Sequence, residues 1–346
     1  MSSLFHPQPF ARFLLAGLAL AVTGGLTAAK EPSQIQPMPQ SHRQVARIDY
    51  HGWRDALVLG NGLVEVVVVP AVGRIMQFRF VGASDGPFWM NPAPAGQSAA
   101  TTTGDWANFG GDKTWPAPQA DWDRIAARGW PPPAAFDSRP MEAVIDGASV
   151  TLVSPVDTGY GIRVRRRIEL APDRPVMTVT TSFEKAAGQP LDAAVWIITQ
   201  LKDPAAVYAL RPDLGSSGRA YVNQGAGTPA GLHVADGWLS LTRDPSQNHK
   251  IGLRAATLVW VGEAELLRID SALVPGGKYP DDGSSAEVYT NADPLAYVEL
   301  ELLGPLARLQ VGDKIERVST YTLVRRVEKD PETEIRRLLA APADSP

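Results

Sequence analysis

What most limits the fold of this chain is a pattern of short runs with period two, each closed by Gly, Pro, Asp or Asn. In extended conformation Ile162, Val164, Ile168 and Leu170 share one face, while Arg163, Arg165, Arg167 and Glu169 share the other. Val64–Val69 is β-branched and stops at Pro70; residues 74–81 alternate, and residues 176–183 alternate with threonines. Similar runs cover 193–201, 239–241, 251–261, 266–273, 286–290, 297–303 and 315–324. Period two with β-branched content and frequent turn residues predicts an all-β fold, a large antiparallel β-sandwich. One domain over residues 44–328 accommodates these runs. A single helix is expected within a C-terminal segment 329–346: Asp330 can cap it, Pro331 suits its first turn, and the early acids suit its N-terminus. No strand alternates with a long helix, which argues against Rossmann and TIM-barrel architectures.

The N-terminus reads as an address. Arg12 is the one base before an apolar run over residues 13–22, and Thr27-Ala28-Ala29 supplies small residues at a cleavage position. This is the pattern of a signal peptide over residues 1–29, and the run falls short of the roughly 20 residues a span needs. The polar, Pro-rich residues 30–43 read as a flexible linker. The expectation is a periplasmic or secreted protein with no membrane span once the signal is cleaved. Cleavage removes Arg12 and leaves 32 bases against 37 acids, a net charge of −5.

Composition removes several classes of chemistry. There is no cysteine among the 346 residues, so disulfide scaffolds, thiolate metal sites and cysteine nucleophiles are excluded. The acidic balance argues against nucleic-acid binding, which needs a basic surface. Gly110-Gly111-Asp112-Lys113-Thr114 lacks the Gly before Lys of a phosphate loop. Asp281-Asp282-Gly283 lacks the alternating acids of a calcium loop and reads as a turn. Five scattered histidines form no ligand pattern. No metal and no cofactor are expected.

Two polar clusters stand out. Residues 105–119 combine Trp106, Asn108, Gly110-Gly111, Lys113, Trp115, Pro116, Pro118 and Gln119. This segment reads as an irregular loop, with the two glycines marking left-handed backbone or a close approach. Amides, one cation and an indole face suit a sugar, whose hydroxyls need hydrogen bonds and whose C–H face needs apolar cover. Asn108, Lys113, Trp115 and Gln119 are therefore candidates. The other cluster comes from strands. Trp196, Ile198 and Gln200 would share one face, and Tyr297, Glu299 and Glu301 another; such carboxylates can act as a general base or stand as solvated surface acids.

Three blocks together resemble a known family. They are Gly62 to Ile75 with Phe88-Trp89-Met90-Asn91-Pro92; Asn108-x-Gly-Gly-x-Lys-x-Trp-Pro-x-Pro-Gln with Lys278-Tyr279-Pro280-Asp281; and Tyr289 to Asp313. The chain resembles galactose mutarotase-like (aldose 1-epimerase-like) proteins, in a secreted bacterial branch. The resemblance implies a supersandwich with a carbohydrate, a mono- or oligosaccharide, in a concave cleft, and adds Arg74 and Tyr279 to the candidate binding residues beside Trp196 and Gln200. In mutarotases a glutamate takes the anomeric hydroxyl proton and a histidine protonates the ring oxygen. Glu299 or Glu301 matches the glutamate. The strand where the histidine would lie reads Trp196-Ile197-Ile198-Thr199-Gln200, which leaves Lys113 as the candidate acid. Three functions stay open: a mutarotase-like isomerase (or a glycan lyase or hydrolase), a non-catalytic carbohydrate-binding protein, and a structural envelope protein.

Overall fold

The computed structural model describes residues 44–98, 106–212, 220–225, 227–235 and 237–340. The expected signal peptide, the linker and residues 341–346 lie outside the described residues. Among the described residues no helix is long and apolar enough to cross a membrane.

Among the described residues twenty-one strands form two antiparallel sheets. In chain order they are β1 (Gln44–Tyr50), β2 (Trp53–Gly60), β3 (Val64–Val69), β4 (Arg74–Phe80), β5 (Asp112–Ala117), β6 (Glu142–Asp146), β7 (Ser149–Val153), β8 (Ile162–Leu170), β9 (Val176–Lys185), β10 (Leu191–Lys202) and β11 (Ala206–Leu210). They continue as β12 (Val222–Asn223), β13 (Leu232–Ala235), β14 (Trp238–Leu241), β15 (His249–Leu253), β16 (Thr257–Val261), β17 (Glu265–Asp270), β18 (Ala286–Thr290), β19 (Tyr297–Leu303), β20 (Ala307–Leu309) and β21 (Lys314–Arg325). The first sheet runs β1-β2-β3-β4-β5-β10-β19-β18-β15-β12, with β20 also on β10. The second runs β13-β14-β11-β16-β17-β21-β9-β8-β7-β6. The helix Pro331–Ala340 starts where expected: Asp330 Oδ2 accepts the Thr333 N–H at 2.8 Å. Its Ile335 packs in a cluster with Tyr208 and Trp238.

Alternation sets the core. Val298, Leu300 and Leu302 of β19, Val288 of β18 and Ile251 of β15 join Val164, Ile168, Val179, Leu267 and Leu323 of the other sheet in one buried cluster. Within it sits a polar knot. Asp112, on the same side of β5 as Thr114, is ion-paired with Arg166 of β8 and accepts hydrogen bonds from Thr199 Oγ1 and Tyr321 OH, each at 2.7 Å. Arg166 donates further to Thr181 Oγ1 at 3.3 Å. These five side chains are wholly buried or nearly so, so every lone pair left unmatched would be costly. The knot ties a central strand of one sheet to the second sheet.

Two expectations are corrected. The run 251–261 is two strands in different sheets, β15 and β16, parted at residues 254–256, where Ala255 N–H bonds Ser285 Oγ at 3.0 Å. The 105–119 segment is not all loop, because Asp112–Ala117 is the central strand β5. Proline survives there for a positional reason. Gln200 N–H bonds Gly111 O, so the register Trp196↔Trp115 makes Pro116 a position whose N–H would point away from β10. On that side β4 pairs with β5 only at Ile75↔Asp112. No ladder bond is lost, and Pro116 O, pointing the same way, is capped by Trp122 Nε1 at 2.8 Å.

Candidate functional site

Residues on one pleat face of β5, β10, β19, β18 and β15 point away from the second sheet. The registers Ile198↔Lys113, Ile198↔Glu301 and Glu287↔Glu301 lay Lys113, Ile198, Glu301 and Glu287 in one row across four strands. The neighbouring row holds Gln200, Glu299, Tyr289 and Lys250 through Gln200↔Glu299, Tyr289↔Glu299 and Lys250↔Tyr289. Trp115 and Trp196 pair directly on the other side of the first row.

Lys250 Nζ bridges two carboxylates, at 2.8 Å from Glu287 Oε2 and 3.0 Å from Glu301 Oε2. It also lies over the Trp196 ring at 4.5 Å, and Trp196 Nε1 donates to Glu301 Oε2 at 2.6 Å. Glu301 is fully buried and Glu287 nearly so. One ammonium cannot neutralise both. Burial raises the Glu301 carboxyl well above the ordinary carboxylate range; Lys250 opposes this, while Glu287 and Glu299 add to it. Burial therefore favours the protonated form of the Glu301 carboxyl. Burial works against the Lys250 ammonium, but Glu301 and Glu287 outweigh it and hold it charged.

Beside this trio opens a cavity of about 280 Å³ lined by Gln119, Trp196, Gln224, Lys250, Asp281 and Glu287, with Asp282 at its rim. Gln224 Nε2 donates to Glu287 Oε1 at 2.8 Å. Asp281 sits in the expected turn, Pro280–Gly283, where Asp281 and Asp282 both take left-handed backbone, φ 50° and 59°. Burial first, then repulsion from Glu287, lifts the Asp281 carboxyl to about 6, with Lys250 opposing. The cavity thus carries a group that titrates near neutrality beside a carboxyl that burial holds toward its protonated form, the arrangement acid–base chemistry requires.

The remaining sequence candidates fall into three places. Lys113 is buried and pairs with Glu299 Oε1 at 3.4 Å while lying 4.7 Å over the Trp115 ring. Burial lowers its ammonium, with Glu299 opposing and Arg74 adding to the effect. The Tyr297 ring stacks on Trp89 at 4.4 Å, and Asn108 and Gln200 are buried. These residues share the face with Lys250 but do not line its cavity. Arg74 lies fully buried, giving Nη2 to Asp137 Oδ1 at 2.7 Å and Nη1 to Gly110 O at 2.7 Å. Asp137 also accepts from Trp115 Nε1 and Trp106 Nε1, each at 2.9 Å. Arg74 therefore fixes Trp115 from below. Tyr279 is buried, and its hydroxyl accepts the Val274 N–H at 2.8 Å. It anchors the turn that carries Asp281.

Gly110 and Gly111 have φ 87° and 73°, and an added Cβ would come within 2.3 Å of Trp89 O or 2.5 Å of Ile75 O. The expected left-handed backbone and close approach are both present. Gly110→Ala is expected to destabilise the fold by more than about 1 kcal/mol, read as a lower urea midpoint.

Sequence reasoning passed over Lys250, Glu287, Asp281, Asp137 and Gln224. Lys278-Tyr279-Pro280-Asp281 had drawn attention to the right turn, but Lys250 and Glu287 carried no local signal. Only the register unites them with Glu301. No histidine lies in the cavity wall: His249 points to the opposite face from Lys250 and contacts Asp244 at 3.4 Å.

No family model and no curated protein matches the chain. Solved structures do. A candidate aldose 1-epimerase from Klebsiella pneumoniae superposes with a TM-score of 0.57 at 9% identity, covering 88% of this chain and 91% of that one. The fold is that of the galactose mutarotase-like proteins. A candidate aldose 1-epimerase from Escherichia coli K12 agrees, with a TM-score of 0.51 at 13% identity over 82% of this chain and 99% of that one. A galactose mutarotase-like protein from Clostridium acetobutylicum gives 0.51 at 9% identity over 83% and 100%. The expected mutarotase-like sandwich is thus the observed one, and at these identities the likeness speaks for the fold.

Proposed function

We propose that this chain is an exported carbohydrate-active protein whose mutarotase-like fold holds a sugar ring in the cavity between Trp196, Lys250, Glu287 and Asp281, and interconverts its anomers. The single observation that carries this is the buried Glu287–Glu301 pair under one ammonium, beside the titrating Asp281. The Asp281 carboxylate takes the proton of the anomeric hydroxyl. The bond between C1 and the ring oxygen breaks, and the carboxyl pair gives its proton to that oxygen. Rotation about C1–C2 and the reverse transfers close the ring with the other configuration. Protons and electrons balance without a cofactor. The Lys113–Glu299 pair flanks this machinery and sets its charge, while Gln119 and Gln224 supply amide partners for hydroxyls.

The test is α/β interchange across a panel of aldoses by polarimetry or NMR exchange. Acceleration for at least one sugar supports the proposal. Binding without acceleration favours the non-catalytic reading, which the histidine-free cavity motivates. Neither binding nor acceleration removes the carbohydrate reading.

A pH dependence follows from Asp281. The exchange rate should rise with pH through an inflection near 6 as this carboxylate ionises. Its folded-state value lies above the ordinary range, so stability from the protonated form is fully present below about 4 and is lost as pH rises through about 6. Asp281→Asn should stop the exchange and remove the inflection in stability, the latter read by thermal melts between pH 4 and 8.

A further inference from the structure

A cavity of about 520 Å³ shares no wall with the one described above. It is lined by Trp106, Arg128, the proline run 131–133, Arg139 and Asp157. Its walls are set. Asp157 Oδ1 accepts the N–H groups of Gly159 and Tyr160 at 3.0 and 2.8 Å, and Asp157 O accepts that of Gly161 at 2.8 Å. An added Cβ at Gly159 would meet Ile125 O at 2.8 Å, so this loop presses directly on the helix Trp122–Ala126. Ala127 ends that helix in left-handed backbone, φ 58°, just before Arg128. The three prolines are buried and rigid.

Two features of this cavity have no structural use. The guanidinium groups of Arg128 and Arg139 make no ion pair or side-chain hydrogen bond, whereas most arginines of the described residues are committed. One indole is also available. Trp106 gives its N–H to Asp137 and keeps its ring at the cavity wall, while Trp130, outside that wall, stacks on Trp122 with ring centroids 6.3 Å apart. Two cationic forks oppose one carboxylate, and half of that carboxylate's acceptor capacity is spent on its own loop. Guanidinium forks match planar oxyanions bidentately, and indole faces cover the C–H side of a sugar ring. An inorganic anion would use the first feature and leave the second idle.

We propose that this cavity is a second glycan site that takes an anionic sugar unit, its carboxylate or sulfate held by Arg128 and Arg139 and its ring set against Trp106. The site stands independently of the chemistry assigned to the Lys250 cavity. Trp106 and Trp115 share the Asp137 carboxylate, and Trp115 packs against the cavity-lining Trp196 with ring centroids 5.4 Å apart.

The experiment is titration calorimetry of the full chain with digalacturonic acid, galactose 6-sulfate and uncharged galactobiose, at low and high salt, on wild type and the double variant Arg128→Ala/Arg139→Ala. Both arginines are exposed, and an unchanged melting curve verifies the variant's fold. At least one anionic probe should bind wild type, lose tenfold or more in affinity in the double variant, and weaken with salt. Tighter binding of the uronate assigns the anion as carboxylate, and tighter binding of the sulfated sugar assigns it as sulfate. No anionic probe binding, equal affinity in the double variant, or equal binding of galactobiose overturns the proposal. Anomer exchange should keep its wild-type rate in the double variant. If wild type shows no exchange while the arginine-dependent binding persists, the Lys250-cavity reading falls and this one stands.

Discussion

Glu301→Gln is expected to reduce anomer exchange by about 10²–10⁴-fold, the range for losing a positioned acid or base, while sugar affinity changes little. The side chain is wholly buried and meets the cavity wall through Trp196 and Lys250. The amide keeps the shape and can still accept from the Trp196 N–H. What it loses is the carboxyl that burial holds toward its protonated form. Lys250 then keeps Glu287 as its one carboxylate partner. A bound sugar would meet a fixed ion pair where wild type offers a protonated carboxyl. The rate measured by NMR exchange, with affinity measured in parallel, separates this outcome from a general loss of the site. Glu299→Gln should cost less, because Glu299 faces Lys113 and not the cavity.

The second large effect concerns stability. Asp112→Ala is expected to cost about 3–5 kcal/mol, the range for removing one partner of a buried ion pair, and to lower the urea midpoint accordingly. Arg166 would stay buried between the sheets with no counter-charge, and Thr199 and Tyr321 would each lose an acceptor at 2.7 Å. Tyr321→Phe removes one of these bonds and leaves the pair intact, so a loss near 1–2 kcal/mol is expected. If the alanine variant were no less stable than the phenylalanine variant, the knot would not be what joins β5 to the second sheet.

The fold was largely legible because strand periodicity is a local property. Val64–Val69, Ala286–Thr290 and Tyr297–Leu303 begin and end where the apolar runs do. Asp330 caps the final helix as its sequence suggests. Local pattern failed where tertiary context changed the rules. Pro116 concealed β5, since only the absence of β4 alongside it makes a proline harmless there. The run 251–261 is continuously β-forming, and nothing within it marks the point where the chain passes between sheets.

The site was half legible for a similar reason. Trp196, Glu299 and Glu301 could be placed on strand faces from alternation alone, Lys113 and Trp115 were candidates from a segment that reads as loop, and the structure brings all five onto one surface. Lys250 is 51 residues from Glu301 in the chain, and its role comes from strand register, which a single sequence does not specify. Arg74 and Tyr279 drew attention as polar residues in informative blocks, yet both are buried supports: one braces Trp115 through Asp137, the other braces the Asp281 turn.

The account rests on a sugar ring occupying the cavity beside Trp196. A crystal structure of the protein soaked in the aldose that binds most tightly in the panel tests this most directly. The predicted result is one ring against Trp196, with hydroxyls on Lys250 and Glu287 and the anomeric hydroxyl at Asp281. A ring bound elsewhere on the chain, with the Lys250 cavity holding only solvent, would contradict it.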